Sequence, residues 1–526
     1  MEQHIVKYPI GIQNFESLRR EGYAYVDKTA QVWQLVSQAQ YYFLGRPRRF
    51  GKSLLLSTIE AYFEGKRELF EGLEIMQMER EWKRYPVLHM DLNAKKYNSC
   101  EDLYKMLNMH LERWEQRYGD KYKDRDPEER FMHVIEQAYE QTHMPVVILV
   151  DEYDKPMALN LGNEELQDEF RSILKAFYGV MKSADRYIKM GFLTGVTKFS
   201  KMSAFSDLNN INDISMDFQY ATCCGLTEQE IRHNFDEGVA LLAQGEHLSQ
   251  DECYAELRRR YDGYHFCPDS PGMYNPFSVI NTLASQRFGD YWFETGTPTQ
   301  LITMLSKTDY PLSELESGEV SSQLLEQVDS YKTNPATVLY QSGYLTIKGY
   351  DREFREYLLG FPNKEVENGF VNCLLPIYTH SGDNPSQFSI VRFVKELRSG
   401  QPEAFMTRLV AMMADTDYRI AGRAELYFQN FLFVFFRLLG LYVQVERATS
   451  DGRADMVVQT SDYVYILEFK MDQTADAALQ QIEEKGYALP FAADRRRVFK
   501  IGVNFNGEQR RVDDWKIITL ESAKTY

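Results

Sequence analysis

A chain of 526 residues is too long for one hydrophobic core and implies roughly two to four domains. Its 14% aromatic content excludes a disordered chain, and its net charge of −17 excludes a general nucleic-acid coat, which needs positive surface. The six cysteines form no CxxC pair, the N-terminus lacks the apolar core of a signal peptide, and the most apolar stretch, Phe431 to Val445, is broken by Arg437. These features lead us to expect a soluble protein of the reducing cytoplasm, without a membrane span, disulfide framework or zinc site.

Taken in order, Tyr23 to Thr29 reads as a short strand capped by Asp27, and Val32, Leu35 and Val36 follow at helical spacing. Tyr41, Tyr42, Phe43 and Leu44 are suited to a buried strand. A basic turn, Gly45 to Phe50, leads into Gly51-Lys52-Ser53 and the amphipathic run Leu54, Leu55, Leu56, Ile59, Tyr62, Phe63. Strand, glycine turn, Gly-Lys-Ser and helix are the context of a phosphate-binding loop. Helix-start N–H groups would face the phosphates, Lys52 would reach the terminal ones, and Ser53 would ligate Mg²⁺. The usual pattern has a glycine where Arg46 stands, with Gly45 one residue earlier. Arg48 and Arg49 would grip phosphate or be solvated. The leader before the loop would pack over the nucleotide base.

Val87 to Asn93 is a second strand, and residues 101 to 142 are helical. Val146 to Val150 form a strand buried on both faces, running into Asp151-Glu152. A carboxylate there lies beside the loop mouth. Asp151 would hold Mg²⁺ through water, and Glu152 would polarise the water attacking the γ-phosphate. Residues 163 to 183 are a helix. Ile188 to Val196 is a strand whose tip offers Thr194, Thr197 and Lys198 as γ-phosphate sensors, or is an ordinary exit to a loop. Alternating strands and helices give a parallel three-layer α/β/α domain. The region between the Gly-Lys-Ser helix and the Asp151 strand leaves room for an inserted central strand.

Thr227 to Glu230 is a capping box opening a helical region. Tyr261 to His265 and Tyr274 to Phe277 are turn-rich and aromatic. Leu339 to Ile347 and Tyr357 to Pro362 read as the two strands of a wing. This part is a helical lid with a winged-helix-like segment, and its Asp262, His265 and Glu294 read as structural. Asp383 to Ser386 marks a linker.

The C-terminal part reads differently. Residues 424 to 439 form an apolar helix ended by Gly440, followed by strands at Leu441 to Arg447, Ala454 to Gln459 and Asp462 to Lys470. In the last, Val464, Ile466, Glu468 and Lys470 share one face. With Asp455 across the hairpin, this suits a metal-dependent nuclease. Asp455 and Glu468 would hold Mg²⁺ or Mn²⁺, and Lys470 would position or deprotonate water and stabilise developing charge. Glu425 would add a metal ligand; Gln481 and Tyr487 would orient the site or bind substrate. A solvated strand end opposite an unrelated aspartate is the alternative. Arg258-Arg259-Arg260 and Arg495-Arg496-Arg497 are local basic runs that would serve nucleic acid or be solvated faces.

Residues 8 to about 215, with RPRRFGKSLLLSTIEAYFEG, VVILVDEYDKP and FLTGVTKFSKMSAFSDLNNINDIS, resemble the AAA-ATPase-like family of bacterial proteins. Residues 385 to about 515, with GRADMVV, YILEFK and QQIEEKGYALPF, resemble the PD-(D/E)XK nuclease domain that usually follows it. The resemblance implies ATP binding through Lys52, Ser53 and Asp151 and a restriction-endonuclease-like core built on Asp455, Glu468 and Lys470; some PD-(D/E)XK members have lost cleavage. It divides the chain into an ATPase domain (1–215), a lid and winged-helix-like region (216–384) and a nuclease-like domain (385–526). We expect an ATP-binding and hydrolysing protein whose nucleotide state controls a Mg²⁺-dependent nuclease acting on nucleic acid, able to form a homo-oligomer. Arg171 and Arg186 are the nearby candidates for an arginine finger. The alternatives are a nucleotide-dependent switch or scaffold that binds nucleic acid or protein and cuts nothing, and a metabolite kinase.

Overall fold

A computed structural model describes residues 6–93, 95–160, 163–197, 211–295, 301–302, 304–305, 308, 310–325, 334–378, 390–414, 424–440, 442–447 and 455–520. Packing divides the chain into two compact units: Met1–Gly296 with Leu315–Glu367, and Thr297–Glu314 with Asn368–Tyr526.

The first unit is built on a parallel sheet of β1 (Tyr41–Gly45), β2 (Val87–Asp91), β3 (Val146–Asp151), β4 (Ile188–Gly195) and β5 (Asn212–Asp213), in the order β2-β3-β4-β1-β5. All six residues of β3 are buried, which requires cover on both faces. The helices Lys52–Phe63 and Pro127–Thr142 both pack on this strand. The strand inserted between β1 and β3 is β4, which follows the Asp151 strand; β2, which precedes it, lies at the edge. The expected room for a central strand before the Asp151 strand is thus taken by an edge strand, and the helical stretch after β2, the helices Cys100–Tyr118 and Pro127–Thr142, serves as a crossover. Tyr23 to Lys28 forms no strand among the described residues; Asp27 caps the next helix, accepting from Thr29 N at 2.8 Å and from its hydroxyl at 2.6 Å.

Helices Glu228–Gly245, Gln250–Tyr261 and Pro276–Ser285 share a core of Phe235, Val239, Leu257, Tyr261 and Leu283. Capping boxes at Thr227/Glu230 and Ser249/Glu252 start the first two. A three-stranded antiparallel sheet follows, β6 (Glu319–Ser321), β7 (Thr346–Asp351) and β8 (Glu356–Gly360), in the order β6-β8-β7. The helix Pro335–Gln341 precedes β7, so residues 339–341, read as strand, are helical. Burial of Ala336, Val338 and Leu339 holds that turn of helix despite its β-branched content.

The second unit carries β9 (Gln444–Arg447), β10 (Met456–Gln459), β11 (Tyr463–Met471), β12 (Arg497–Asn506) and β13 (Arg511–Leu520), in the order β13-β12-β11-β10-β9. Only the β11–β12 pair is parallel, and the helix Ala475–Glu484 makes that crossover. On one face Val464 and Ile466 pack with Leu479 and Ile482 of this helix. On the other, Phe428 of the helix Ala424–Gly440 stacks on Phe505, and Phe436 meets Phe469. The two-residue alternation of β11 thus separates Glu468 and Lys470 from the aromatic core.

Candidate functional site

Gly51 precedes the helix Lys52–Phe63 with φ +96° and open space where a Cβ would stand, and among the described residues no side chain caps the first turn. Uncapped N–H groups at a helix start attract anions. Lys52 is buried, and its Nζ donates to the carbonyls of Arg46 (3.0 Å) and Pro47 (3.2 Å). Ser53 is half-buried in the first turn. Asp151 Oδ1 accepts from Thr194 Oγ1 at 2.5 Å and from Glu152 N at 3.1 Å. Glu152 holds a left-handed φ of +52° and lies 3.3 Å from Lys155. Burial raises its carboxyl above the ordinary range, against the pull of Lys155 and Lys52.

Gly45 stands in β1 and donates its N–H to Ser215 Oγ at 2.7 Å. Arg46 is buried and structural, donating to Ser215 O (2.7 Å) and Tyr220 O (3.0 Å) with its guanidinium 4.0 Å from the Phe266 ring. Arg48 is half-buried against Trp292, and Arg49 is exposed beside Phe277. Thr197 donates to Asp154 through its N–H (2.7 Å) and its hydroxyl (2.6 Å); Lys198 lies outside the described residues. Arg171 pairs with Asp168, and Arg186 stacks on Tyr187. A cavity of about 110 Å³ opens beside Gly51, lined by Tyr25 and Val26 of the leader, Phe50 and Leu54, and Cys224 and Ile280 of the helical region.

In the second unit, Glu468 is buried and Asp455 stands at the open mouth of the hairpin. Glu468 Oε2 accepts from Asp455 N at 3.3 Å, and Asp455 Oδ2 accepts from Phe469 N at 2.9 Å. Lys470 Nζ donates to Glu468 Oε1 (3.1 Å) and Gln481 Oε1 (2.6 Å). Gln481 donates through Nε2 to Glu468 and, at 3.4 Å, to Tyr487 Oη. Burial raises both carboxyls; the neighbouring Asp455 charge adds to the rise at Glu468, and Lys470 opposes it at both. Glu425 is exposed and paired with Gln429 on the helix that packs on the opposite face. The basic runs are largely neutralised: Arg258 pairs with Glu228, Arg259 and Arg260 with Glu256, and Arg496 with Asp494.

Residues 9–205 match the family model described as predicted AAA-ATPase, and residues 423–515 match the PD-(D/E)XK nuclease superfamily. Over 528 residues the chain is 36% identical to an "uncharacterized protein in vnfD 5′ region" of Azotobacter chroococcum mcd 1, covering 98% of this chain and 99% of that protein. The chain belongs to the predicted AAA-ATPase family. It ends in a PD-(D/E)XK nuclease superfamily domain.

The residues of this AAA-ATPase-like protein fit the groups its two domains imply. An uncapped helix start, a lysine bonded to loop carbonyls and an adjoining apolar cavity suit a nucleoside triphosphate. Two carboxylates whose burial disfavours ionisation suit a hard divalent cation, which would restore the charged form. Among the described residues no group of three His, Cys, Asp or Glu side chains converges, so water or amide oxygens would complete the ligand set. Sequence reasoning missed Asp154, a buried carboxylate that ties the Asp-Glu turn to the exit of β4, and Trp292 and Tyr344 beside the loop. The available signal was the aromatic density of the middle region.

Proposed function

We propose that the first unit binds and hydrolyses ATP, and that its nucleotide state controls a Mg²⁺-dependent nuclease centre in the second, acting on nucleic-acid phosphodiesters. One observation carries it: at both strand ends, motif residues distant in sequence close into hydrogen-bonded centres, Asp151 with Thr194, and Asp455, Glu468, Lys470 and Gln481 together.

In the ATP site, Lys52 exchanges its loop carbonyls for the β- and γ-phosphates, and the amides after Gly51 receive the phosphate oxygens. Ser53 and Asp151 would hold Mg²⁺. Glu152 accepts the proton of the attacking water; burial disfavours its charged form and so raises its affinity for that proton, and its left-handed backbone is strain kept at a working residue. Thr194 couples Asp151 to the tip of β4. The cavity beside Gly51 takes the base, with the leader as one wall.

In the nuclease centre, Asp455 and Glu468 would hold Mg²⁺ or Mn²⁺. When bound, the ion lowers the pKa of its water and neutralises the scissile phosphate. Lys470 presents its ammonium to the developing charge, Gln481 fixes both Lys470 and Glu468, and Tyr487 steadies Gln481.

The test is cleavage of a panel of DNA and RNA by the purified chain with Mg²⁺ or Mn²⁺, with and without ATP, beside Lys52→Ala and Lys470→Ala. We expect cleavage to vanish in Lys470→Ala and to lose its ATP dependence in Lys52→Ala. No cleavage of any substrate, with ATP still bound, would replace the nuclease by a non-cutting switch.

A further inference from the structure

The phosphate loop is gripped from outside by residues far along the chain. Trp292 is fully buried and holds Arg48 at both ends. Its indole Nε1–H donates to Arg48 O at 3.0 Å, and its ring lies 4.5 Å from the Arg48 guanidinium carbon. Tyr344 completes the platform, with its ring 5.3 Å from that of Trp292 and its hydroxyl 3.4 Å from Arg48 Nη2. The platform is itself anchored. Trp292 N donates to the buried Glu365 at 2.6 Å, and the other oxygen of Glu365 accepts from Ser278 Oγ at 2.7 Å. Next to Tyr344, Gly343 has φ +86°, and a Cβ there would lie 2.5 Å from Pro47 Cβ.

The other arginines have different tasks. Arg46 is spent on Ser215 and Tyr220, Arg171 is paired with Asp168, and Arg186 stacks on Tyr187. Arg49 is exposed and stacks on Phe277 without a second aromatic beneath it among the described contacts. Arg48 stands four residues before Lys52, within the loop that would cradle the phosphates. Stacking engages the face of a guanidinium, whereas phosphate is bound along its edge, so the Trp292 ring orients the group from its face while Tyr344 takes one edge N–H. A cation fixed before the reaction costs little reorganisation as charge moves onto the leaving oxygen.

Resting on the ATP-hydrolysis proposal above, we propose that Arg48 is the charge-stabilising arginine of phosphoryl transfer, supplied in cis, with Trp292 and Tyr344 as its positioning residues. In this step the water oxygen forms the new bond to the γ-phosphorus as the β–γ bridging bond breaks. ADP leaves with that electron pair, the water proton passes to Glu152, and Arg48 donates to the bridging and γ-oxygens.

The test compares steady-state turnover with equilibrium ATP binding in the full-length chain and in Arg48→Ala, Arg48→Lys, Trp292→Leu, Trp292→Phe and Tyr344→Phe. An arginine finger is worth about 10³-fold or more in kcat. We expect a loss of that order in Arg48→Ala, little rescued by lysine, with ATP affinity within about threefold of wild type. Trp292→Leu should lower kcat by about tenfold or more at unchanged affinity, and Trp292→Phe, which keeps a ring face, by less. Retained ATP binding shows that each variant is folded. Specific activity should be flat on dilution. A kcat indifferent to Arg48, a loss of affinity equal to the loss of turnover, or activity that rises with protein concentration would each overturn the assignment. Turnover that is lost in Lys52→Ala but indifferent to Arg48 overturns this inference alone. A wild-type chain without turnover overturns the hydrolysis proposal and this inference with it.

Discussion

Arg46 shows how far a single residue can depart from a motif without damaging it. The usual phosphate loop has glycine at this position because the backbone there passes close to its neighbours. Here the side chain turns inward instead and bonds three carbonyls, Gly45 O and the more distant Ser215 O and Tyr220 O, beneath the Phe266 ring. Restoring the motif by Arg46→Gly should therefore destabilise the first unit, because two buried acceptors lose a charged donor. We expect a loss of roughly 3 kcal/mol, read as a lower midpoint in urea unfolding, with no gain in ATP affinity. Equal stability in the variant would show that water replaces the guanidinium at no cost. The placement of Lys52, Ser53 and Asp151 just beyond or at strand ends was legible in the sequence because each belongs to a short motif there. The platform under Arg48 was not, because Trp292 and Tyr344 stand 244 and 296 residues away and reach it only through tertiary packing.

Elements were legible where burial pattern and local preference agreed. In β11 the alternation of Val464, Ile466, Glu468 and Lys470 with Tyr463, Tyr465, Leu467 and Phe469 leaves one solution, and the sheet adopts it. Tyr23 to Lys28 failed for the opposite reason: its residues favour a strand, but among the described residues no strand pairs with it, and Asp27 is committed to the next helix. Residues 339–341 failed because tertiary burial overrode β propensity. The crossover helix Ala475–Glu484 carries Gln481 and lies unusually close to β12. A Cβ on Gly502 would stand 2.3 Å from Ala475 O and 2.9 Å from Leu479 Cγ. Gly502→Ala must push this helix outward, and Gln481 moves with it. We expect a modest destabilisation of the second unit, about 1–3 kcal/mol, accompanied by weaker Mg²⁺ binding in calorimetric titration. ATP turnover should be unchanged, because Lys52 and Asp151 belong to the other compact unit. Unaltered Mg²⁺ affinity in a destabilised variant would argue that Gln481 plays no part in holding the carboxylate pair.

At the scale of the whole molecule, the two chemical centres fall in separate compact units, but the chain does not divide once. Thr297–Glu314 packs with the C-terminal unit although it lies in sequence between two segments of the first. Asn430, on the helix that precedes the nuclease-like strands, is buried and bonded only into that insertion among its described contacts: its Oδ1 accepts from Leu312 N at 2.8 Å and its Nδ2 donates to Tyr310 O at 3.0 Å. Composition gave no hint of this, because the insertion has neither a linker signature nor a motif. A fragment of residues 385–526 lacks both partners and leaves a buried amide with two unmet hydrogen bonds, at a cost of about 2–3 kcal/mol. It should unfold at a lower temperature than the corresponding transition of the full chain and bind Mg²⁺ more weakly. A fragment 297–526, which restores Tyr310, Leu312 and the helix Lys364–Tyr378, should recover most of that difference. The control is Asn430→Leu, which removes the polar group together with its need for partners. If the lost bonds are the cause, this substitution should narrow the gap between the two fragments, since an apolar side chain of similar size has no hydrogen bonds to lose. If the gap persists, the insertion stabilises the unit through apolar packing, with Leu312, Leu305 and Leu301 as its buried residues. Equal stability of the two fragments without any substitution would show that the nuclease-like unit is complete from residue 385 onward.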